Sequence, residues 1–206
     1  GQFPSAQTGA EQLIYAENEV FKIAFTTKGG QPKWVQLKNF KDKDSGLVKL
    51  SATQFDKIGY TVKTGETVAQ TTDLLFPLID SVKNADGSTT YKLTSGSADS
   101  VSAASITHSF TVKKDNYMVD FGVELKGADK LIDKGTMNLS WQYTVAQQES
   151  SFSYEKENTQ MGYVEDGDFD YNTLIKRDDV EYQKPVKWVG MRQRFFFTAL
   201  VSKSNF

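Results

Sequence analysis

The sequence of 206 residues contains no cysteine, which excludes disulfides, thiolate catalysis and cysteine-ligated metal sites. The compartment stays open on this point, because many proteins of oxidising compartments also lack cysteine. Histidine occurs once, at position 108, so a multi-histidine metal or acid–base centre is excluded. Long apolar runs are absent as well. The best, Phe195 to Val201, is interrupted by Thr198 and falls far short of the roughly 18 to 20 residues that cross a bilayer. No basic segment is followed by an apolar stretch, so no signal peptide is expected within these residues. The formal charge is −2, so no general basic field draws nucleic acid, and no polybasic cluster suggests anionic lipid. No Gly-x-Ser-x-Gly elbow is present, and Lys28-Gly29-Gly30 precedes a strand pattern where a phosphate-binding loop would precede a helix.

What is present is strand signal. With 38% hydrophobic and 24% charged residues the composition is that of a packed chain rather than a disordered one. Alternating segments recur about every ten residues, closed by Gly and Asp turns, and indicate a mainly antiparallel all-β protein of stacked-sheet or barrel type. Residues 1–11, small and polar, read as a flexible leader, and 12–206 as a single domain. Strands are expected at 47–50, at Tyr60–Lys63 closed by Thr64-Gly65, and at 89–93 after an Asn84–Ser88 loop. Further strands fall at 105–112, 117–125 and 137–143, with shorter ones at 152–154 and 161–164. Leu74 to Ile79 is apolar but contains Pro77, which suits a buried loop or an edge strand. Gly127 to Lys134 reads as a polar connector, and Glu149–Glu157 and 165–172 as surface loops.

The chain is organised around Leu13 to Phe40. Phe21, Ile23 and Phe25 alternate with Val20, Lys22, Ala24 and Thr26, which puts two phenylalanines and an isoleucine on one buried face. Lys28-Gly29-Gly30-Gln31-Pro32 supplies a reversal, and Lys33 to Lys38 alternates back, completing a hairpin.

The segment Glu17-Asn18-Glu19 to Gly29-Gly30, ending at Leu37-Lys38-Asn39-Phe40, resembles the opening of the large periplasmic domain of YidC-type membrane protein insertases. A second block, Lys187-Trp188-Val189-Gly190-Met191-Arg192-Gln193-Arg194-Phe195-Phe196-Phe197-Thr198-Ala199-Leu200, resembles the same family's Trp-Val-Ala-x-x-Gln-x-Tyr/Phe-Phe motif, in a style similar to Bacteroidetes-type members. The resemblance implies a β super-sandwich similar to galactose mutarotase and carbohydrate-binding domains, with a short helix near the C-terminus. It implies a non-catalytic domain on the periplasmic face of the bacterial inner membrane, without cofactor or metal. The implied parent inserts, folds and assembles inner-membrane proteins, alone or with the Sec translocon, and its implied partners are SecDF-type subunits, nascent membrane proteins and its own membrane domain. A transmembrane helix before Gly1, a multi-helix membrane domain after Phe206, and a domain end truncated in this chain are expected on the same ground.

Several constellations carry competing readings. Asp166, Asp168, Asp170 and Asn172 offer alternate oxygens for calcium. An EF-hand, however, needs Gly sixth and Glu twelfth, where Tyr171 and Arg177 stand, so a solvated Asp-Gly turn is preferred. His108 lies in a strand with no marked nucleophile, which favours a structural role. Trp34, Trp141 and Trp188 are candidate sugar platforms or core residues, the latter favoured by their apolar patterns. A carbohydrate-binding or mutarotase-like domain is the alternative to the insertase reading, though one histidine does not make a mutarotase site. A generic chaperone domain, needing an exposed apolar groove, is a second alternative. Trp188, Met191, Arg192, Phe195 and Ala199 recur at helical spacing, so a helix is expected from about Val186, turning to strand near Phe196. In that block Trp188, Arg192, Arg194, Phe195 and Phe196 are either an amphipathic closing element or a docking surface toward the membrane domain or a partner.

Overall fold

Period-two alternation becomes strand along most of the chain in the computed structural model, which describes residues 3–64, 66–96, 104–133, 135–173 and 179–206. Gly1, Gly65, Lys134 and Arg177, named above, lie outside these residues. The chain divides into two units, Gly1–Phe40 with Leu47–Thr144, and Lys41–Gly46 with Val145–Phe206. The first carries strands β1 (Leu13–Glu17), β2 (Phe21–Thr26), β3 (Gln31–Lys41), β4 (Leu47–Leu50), β5 (Lys57–Thr64), β6 (Thr67–Gln70), β7 (Leu78–Lys83), β8 (Thr89–Gly96), β9 (Ser105–Val112) and β10 (Val119–Lys126), a short helix α1 (Ala128–Leu131), and β11 (Leu139–Gln142). The second carries helix α2 (Phe152–Glu157) and strands β12 (Gln160–Glu165), β13 (Asp168–Thr173), β14 (Val186–Arg192) and β15 (Phe197–Val201).

The first unit holds three sheets, β1-β2-β3-β4, β10-β9-β8-β7 and the three-stranded β11-β5-β6. The two larger sheets meet through the alternation of their strands. Phe21, Ile23 and Phe25 of β2 are buried, and Ile106, His108, Phe110 and Val112 of β9 are buried while their neighbours are not. The rings of Phe25 and Phe110 stack at 4.4 Å, and Phe110 stacks on Phe121 of β10 at 5.1 Å. This is the interior of an antiparallel sandwich, held by rings whose burial dominates the apolar area removed from water.

The hairpin of β2 and β3 has the expected strands, with a register irregularity between Ala24 and Phe25 beside Pro32, which has no amide to donate. Within residues 3–11, Phe3 and Ala6 are buried and Ser5 bridges Leu74, so this part of the expected leader is packed against the first unit. Pro77 precedes an edge strand, β7, as its missing donor requires.

Three local expectations are corrected. Phe152–Tyr154 is the start of helix α2, where Ser151 caps the first turn by accepting from the Tyr154 amide and Glu155, Lys156 and Glu157 favour helix. The helix expected from Val186 is strand β14, flanked on both sides by β12 and β15. Helical spacing there is coincidental: two ladders satisfy the backbone, and Gly190 opposes helix. Of the stretch 165–172, expected as loop, residues 168–172 lie in strand β13.

Candidate functional site

Asn18, at the centre of the Glu-Asn-Glu motif, is a structural staple. Its side-chain Oδ1 accepts from the backbone amides of Val20 (3.0 Å) and Phe21 (2.9 Å), shaping the β1–β2 turn. Its amide donates to the carbonyls of Lys113 and Asn116, both at 2.8 Å, in the turn between β9 and β10. One side chain thus ties a turn of one sheet to a turn of the other, with every donor and acceptor used. An open cleft of about 340 Å³ lies beside it, lined by Glu17, Glu19, Lys38, Tyr91, Lys113 and Lys114 among others. Its charges are paired. Lys38 contacts Glu17 at 3.4 Å and bonds the Asn18 carbonyl, Lys114 contacts Glu19 at 3.4 Å, and Lys113 contacts Asp120 at 2.9 Å. The Lys38 hydrogen bond holds the Glu17 carboxyl below its ordinary pKa.

The single histidine closes the Gly-Gly turn from inside. His108 is buried, and its Nδ1 lies 2.6 Å from the Gly30 carbonyl while its Nε2 lies 2.9 Å from the Tyr60 hydroxyl. A carbonyl only accepts, so Nδ1 carries the proton and Nε2 accepts from Tyr60. Burial lowers the His108 pKa from 6.5 to about 4 and raises that of Tyr60. The ring also stacks on Phe76 at 4.5 Å. Gly30 has φ +56°, and a Cβ there would stand 2.7 Å from Phe76 and 3.0 Å from His108. Glycine is therefore required by conformation and by space. This neutral, doubly bonded imidazole is placed as a structural histidine.

In the second unit, Gln193 anchors the reversal between β14 and β15. It is buried, its side-chain amide donates to the Ala146 carbonyl (2.7 Å) and to Glu155 Oε1 (2.9 Å), and its backbone amide donates to the Phe196 carbonyl (2.8 Å). Glu155 is buried too, its carboxylate satisfied by that amide and by the backbone amides of Gln148 and Glu149. With the turn fixed from below, its tip is displayed. Phe195 is 62% exposed, and the Arg194 guanidinium lies 4.8 Å from the Tyr154 ring and 4.7 Å from that of Phe195.

Register places the remaining features of this unit. Gly162 faces Gly190 and Tyr171, Val164 faces Trp188 and Phe169, and Trp188 and Arg192 face Val201 and Phe197. Paired residues of antiparallel strands share a face, so Phe169, Tyr171, Trp188, Phe197 and Val201 lie together. Their rings touch in series: Phe169–Tyr171 at 6.1 Å, Phe169–Trp188 at 5.9 Å, Trp188–Phe197 at 5.3 Å. The two glycines leave room, for a Cβ at Gly190 would stand 2.5 Å from Phe197. These rings stay substantially exposed, Phe169 at 59% and Phe197 at 50%.

The expected docking residues are thus distributed over two places. Trp188 and Arg192 lie on the aromatic face of β14, Trp188 half-buried and Arg192 exposed, while Arg194, Phe195 and the half-buried Phe196 lie in the turn. Trp188, Met191, Phe195 and Ala199 do not form one packed stripe, since Met191 alternates away from Trp188 and Phe195 projects outward. Trp34 and Trp141 are half-buried beside Tyr15 and Tyr143, not core residues. Asp166 lies in a turn, paired with Lys184 at 3.2 Å, and Asp170 accepts from the Tyr163 hydroxyl at 3.3 Å. Phe169, Tyr171, Phe197 and Val201 are not among the residues expected to dock. The signal for the first two was Asp166-Gly167 between alternating residues; Asp166 and Gly167 both have positive φ, as a tight hairpin turn needs.

Together these features define a mainly antiparallel all-β protein, with a sandwich in its first unit, in which both sequence motifs anchor turns. A family model described as the YidC periplasmic domain matches residues 13–206, and the chain belongs to that family. It is 27% identical over 99% of its length to the membrane protein insertase YidC of Bacteroides fragilis, covering 32% of that protein. It is 24% identical over its whole length to the YidC of Parabacteroides distasonis (32% of that protein) and 25% identical over 98% to that of Chlorobaculum parvum (35%). The chain spans about a third of the length of these curated relatives. No solved structure matches it. Among the described residues no helix is long and apolar enough to cross a membrane.

Proposed function

We propose that the chain is the interaction and positioning domain of a membrane protein insertase, lying on the periplasmic face of the bacterial inner membrane and carrying no catalysis of its own. The observation that carries this reading is the family match over residues 13–206, in relatives named as membrane protein insertases. On this reading the parent inserts and folds inner-membrane proteins, alone or with the Sec translocon. The turn Arg192–Phe196, with Trp188 behind it, is the surface turned toward the membrane domain or a SecDF-type subunit. The fixed base of that turn supports the reading, because Gln193 and Glu155 preorganise the displayed Arg194 and Phe195. Residues 12–206 act as one domain in this scheme.

The absence of catalysis is supported by the histidine. An acid of the mutarotase type has to reach a sugar, whereas His108 is buried, neutral and committed to Gly30 and Tyr60. The experiment is a depletion test. Cells depleted of their own insertase receive the parent protein with or without residues 13–206, and insertion of a membrane-protein substrate is read by protease accessibility. Reduced insertion without the segment is expected. Normal insertion and growth across all substrates contradicts the proposal.

A further inference from the structure

The aromatic face of the β13-β12-β14-β15 sheet is substantially exposed among the described residues. Phe169, Tyr171, Trp188, Phe197 and Val201 form a continuous series across the sheet, between strands that leave Gly162 and Gly190 bare beneath them. Contiguous apolar surface of this kind marks a contact with something. We propose that this face rests on the headgroup region of a phospholipid bilayer.

Its chemistry selects that occupant. Trp and Tyr, apolar rings with a polar tip, are the residues that concentrate at a membrane–water boundary. The charge is complementary. By register the only charged side chain of these four strands on the aromatic face is Arg192, which has no ion-pair partner among the described residues. The carboxylates alternate to the other side, where Glu165 faces Asp168, and Asp170 faces Tyr163. One face is thus aromatic with a single free guanidinium, suited to a lipid phosphate, and the other holds the negative charge. A bilayer surface suits this asymmetry better than an acidic protein patch, which would need several cations opposite it. The inference rests on the reading above that puts the chain beside a membrane; it shares Trp188 and Arg192 with the surface proposed there and adds lipid as a contact of the aromatic face, apart from Arg194, Phe195 and Phe196 in the turn.

The test is co-flotation of the 206-residue chain with vesicles of phosphatidylethanolamine and phosphatidylglycerol. Three variants are compared: Phe169→Ser with Phe197→Ser, Tyr171→Ser with Val201→Ser, and a control pair, Leu78→Ser with Val82→Ser, on the exposed edge strand β7. All six side chains are more than two-fifths exposed, so folding, checked by circular dichroism, is retained. The wild type is expected to float, and each face pair to lower the partition coefficient by about tenfold, against a change within about twofold for the β7 pair. Arg192→Gln is expected to weaken flotation and flatten its salt dependence. No flotation of the wild type, or equal losses in face and control pairs, overturns the proposal. So does concentration-dependent self-association, or capture of an unfolded polypeptide, that the face pairs abolish while lipid is ignored. Failure here with a positive depletion test removes only the lipid contact; flotation with a negative depletion test removes only the insertase role.

Discussion

Acid should unfold this protein through its one histidine. In the folded chain His108 is neutral, with a pKa lowered from 6.5 to about 4 by burial, the Gly30 hydrogen bond opposing the shift. The unfolded chain takes up a proton below about 6.5 that the folded chain refuses until about 4, so stability is full above the upper value and is lost as pH falls between the two. Each tenfold rise in proton activity in that window costs about 1.4 kcal/mol, so the window is worth roughly 3 kcal/mol, a large share of a typical domain's 5–15 kcal/mol. Carboxyls held below their ordinary pKa, such as Glu11 bonded to Thr26 and Asp86 bonded to Ser88, add acid sensitivity of the same sign at lower pH. A His108→Gln variant separates the contributions, because it keeps those carboxyls. At pH 7 it is expected to lose about 1–3 kcal/mol, through poorer bonds to the Gly30 carbonyl and the Tyr60 hydroxyl. Guanidinium unfolding followed by tryptophan fluorescence from pH 7.5 to about 4 gives both curves. Relative to the variant, the wild type should lose roughly 3 kcal/mol as pH drops, so the gap at pH 7 closes or inverts. Parallel curves would refute the neutral, desolvated imidazole.

Other substitutions probe the anchors. Asn18→Asp should be at least as damaging as Asn18→Ala, by about 2 kcal/mol in denaturant unfolding, because a carboxylate cannot donate to Lys113 and Asn116 and faces two carbonyls; an Asp variant more stable than the Ala variant contradicts the staple. Gly30→Ala should cost at least about 2 kcal/mol, from its positive φ and the contact with Phe76, and a wild-type midpoint would show that the turn adapts. Phe25→Ala should cost about 3–5 kcal/mol, since Phe25 is wholly buried, while Phe195→Ala should stay within about 0.5 kcal/mol. The reverse order would mean the two rings are misplaced.

The fold was legible where one face of a strand meets a core. The alternation of β2 and β9 and the Gly-Gly reversal follow from period two and backbone freedom, and both motifs resembling the family fall on strands and turns of this chain. The helix expected at Val186 was misread because a central strand with one half-exposed aromatic face loses clean alternation, leaving Trp188, Met191 and Phe195 at spacings that mimic a helical stripe. The aromatic face was invisible for another reason. Phe169 and Tyr171 are brought beside Trp188 and Phe197 only by ladder register across β12, β13, β14 and β15, and no local pattern fixes which strands will neighbour one another. The roles of Asn18, His108 and Gln193 are likewise long-range, since their partners lie far away in sequence.

The central claim is that the displayed turn of the second unit couples this domain to the rest of the insertase. Its most direct test is charge reversal at Arg192→Glu and Arg194→Glu, in the isolated chain and in the full-length parent. Both side chains are exposed, so the isolated chain should keep its stability within about 0.5 kcal/mol. In cells depleted of their own insertase, the full-length double variant should accumulate normally yet show weakened membrane-protein insertion and weaker co-purification of translocon subunits. Normal complementation and co-purification by a stable double variant would contradict the claim and leave the two arginines merely solvated.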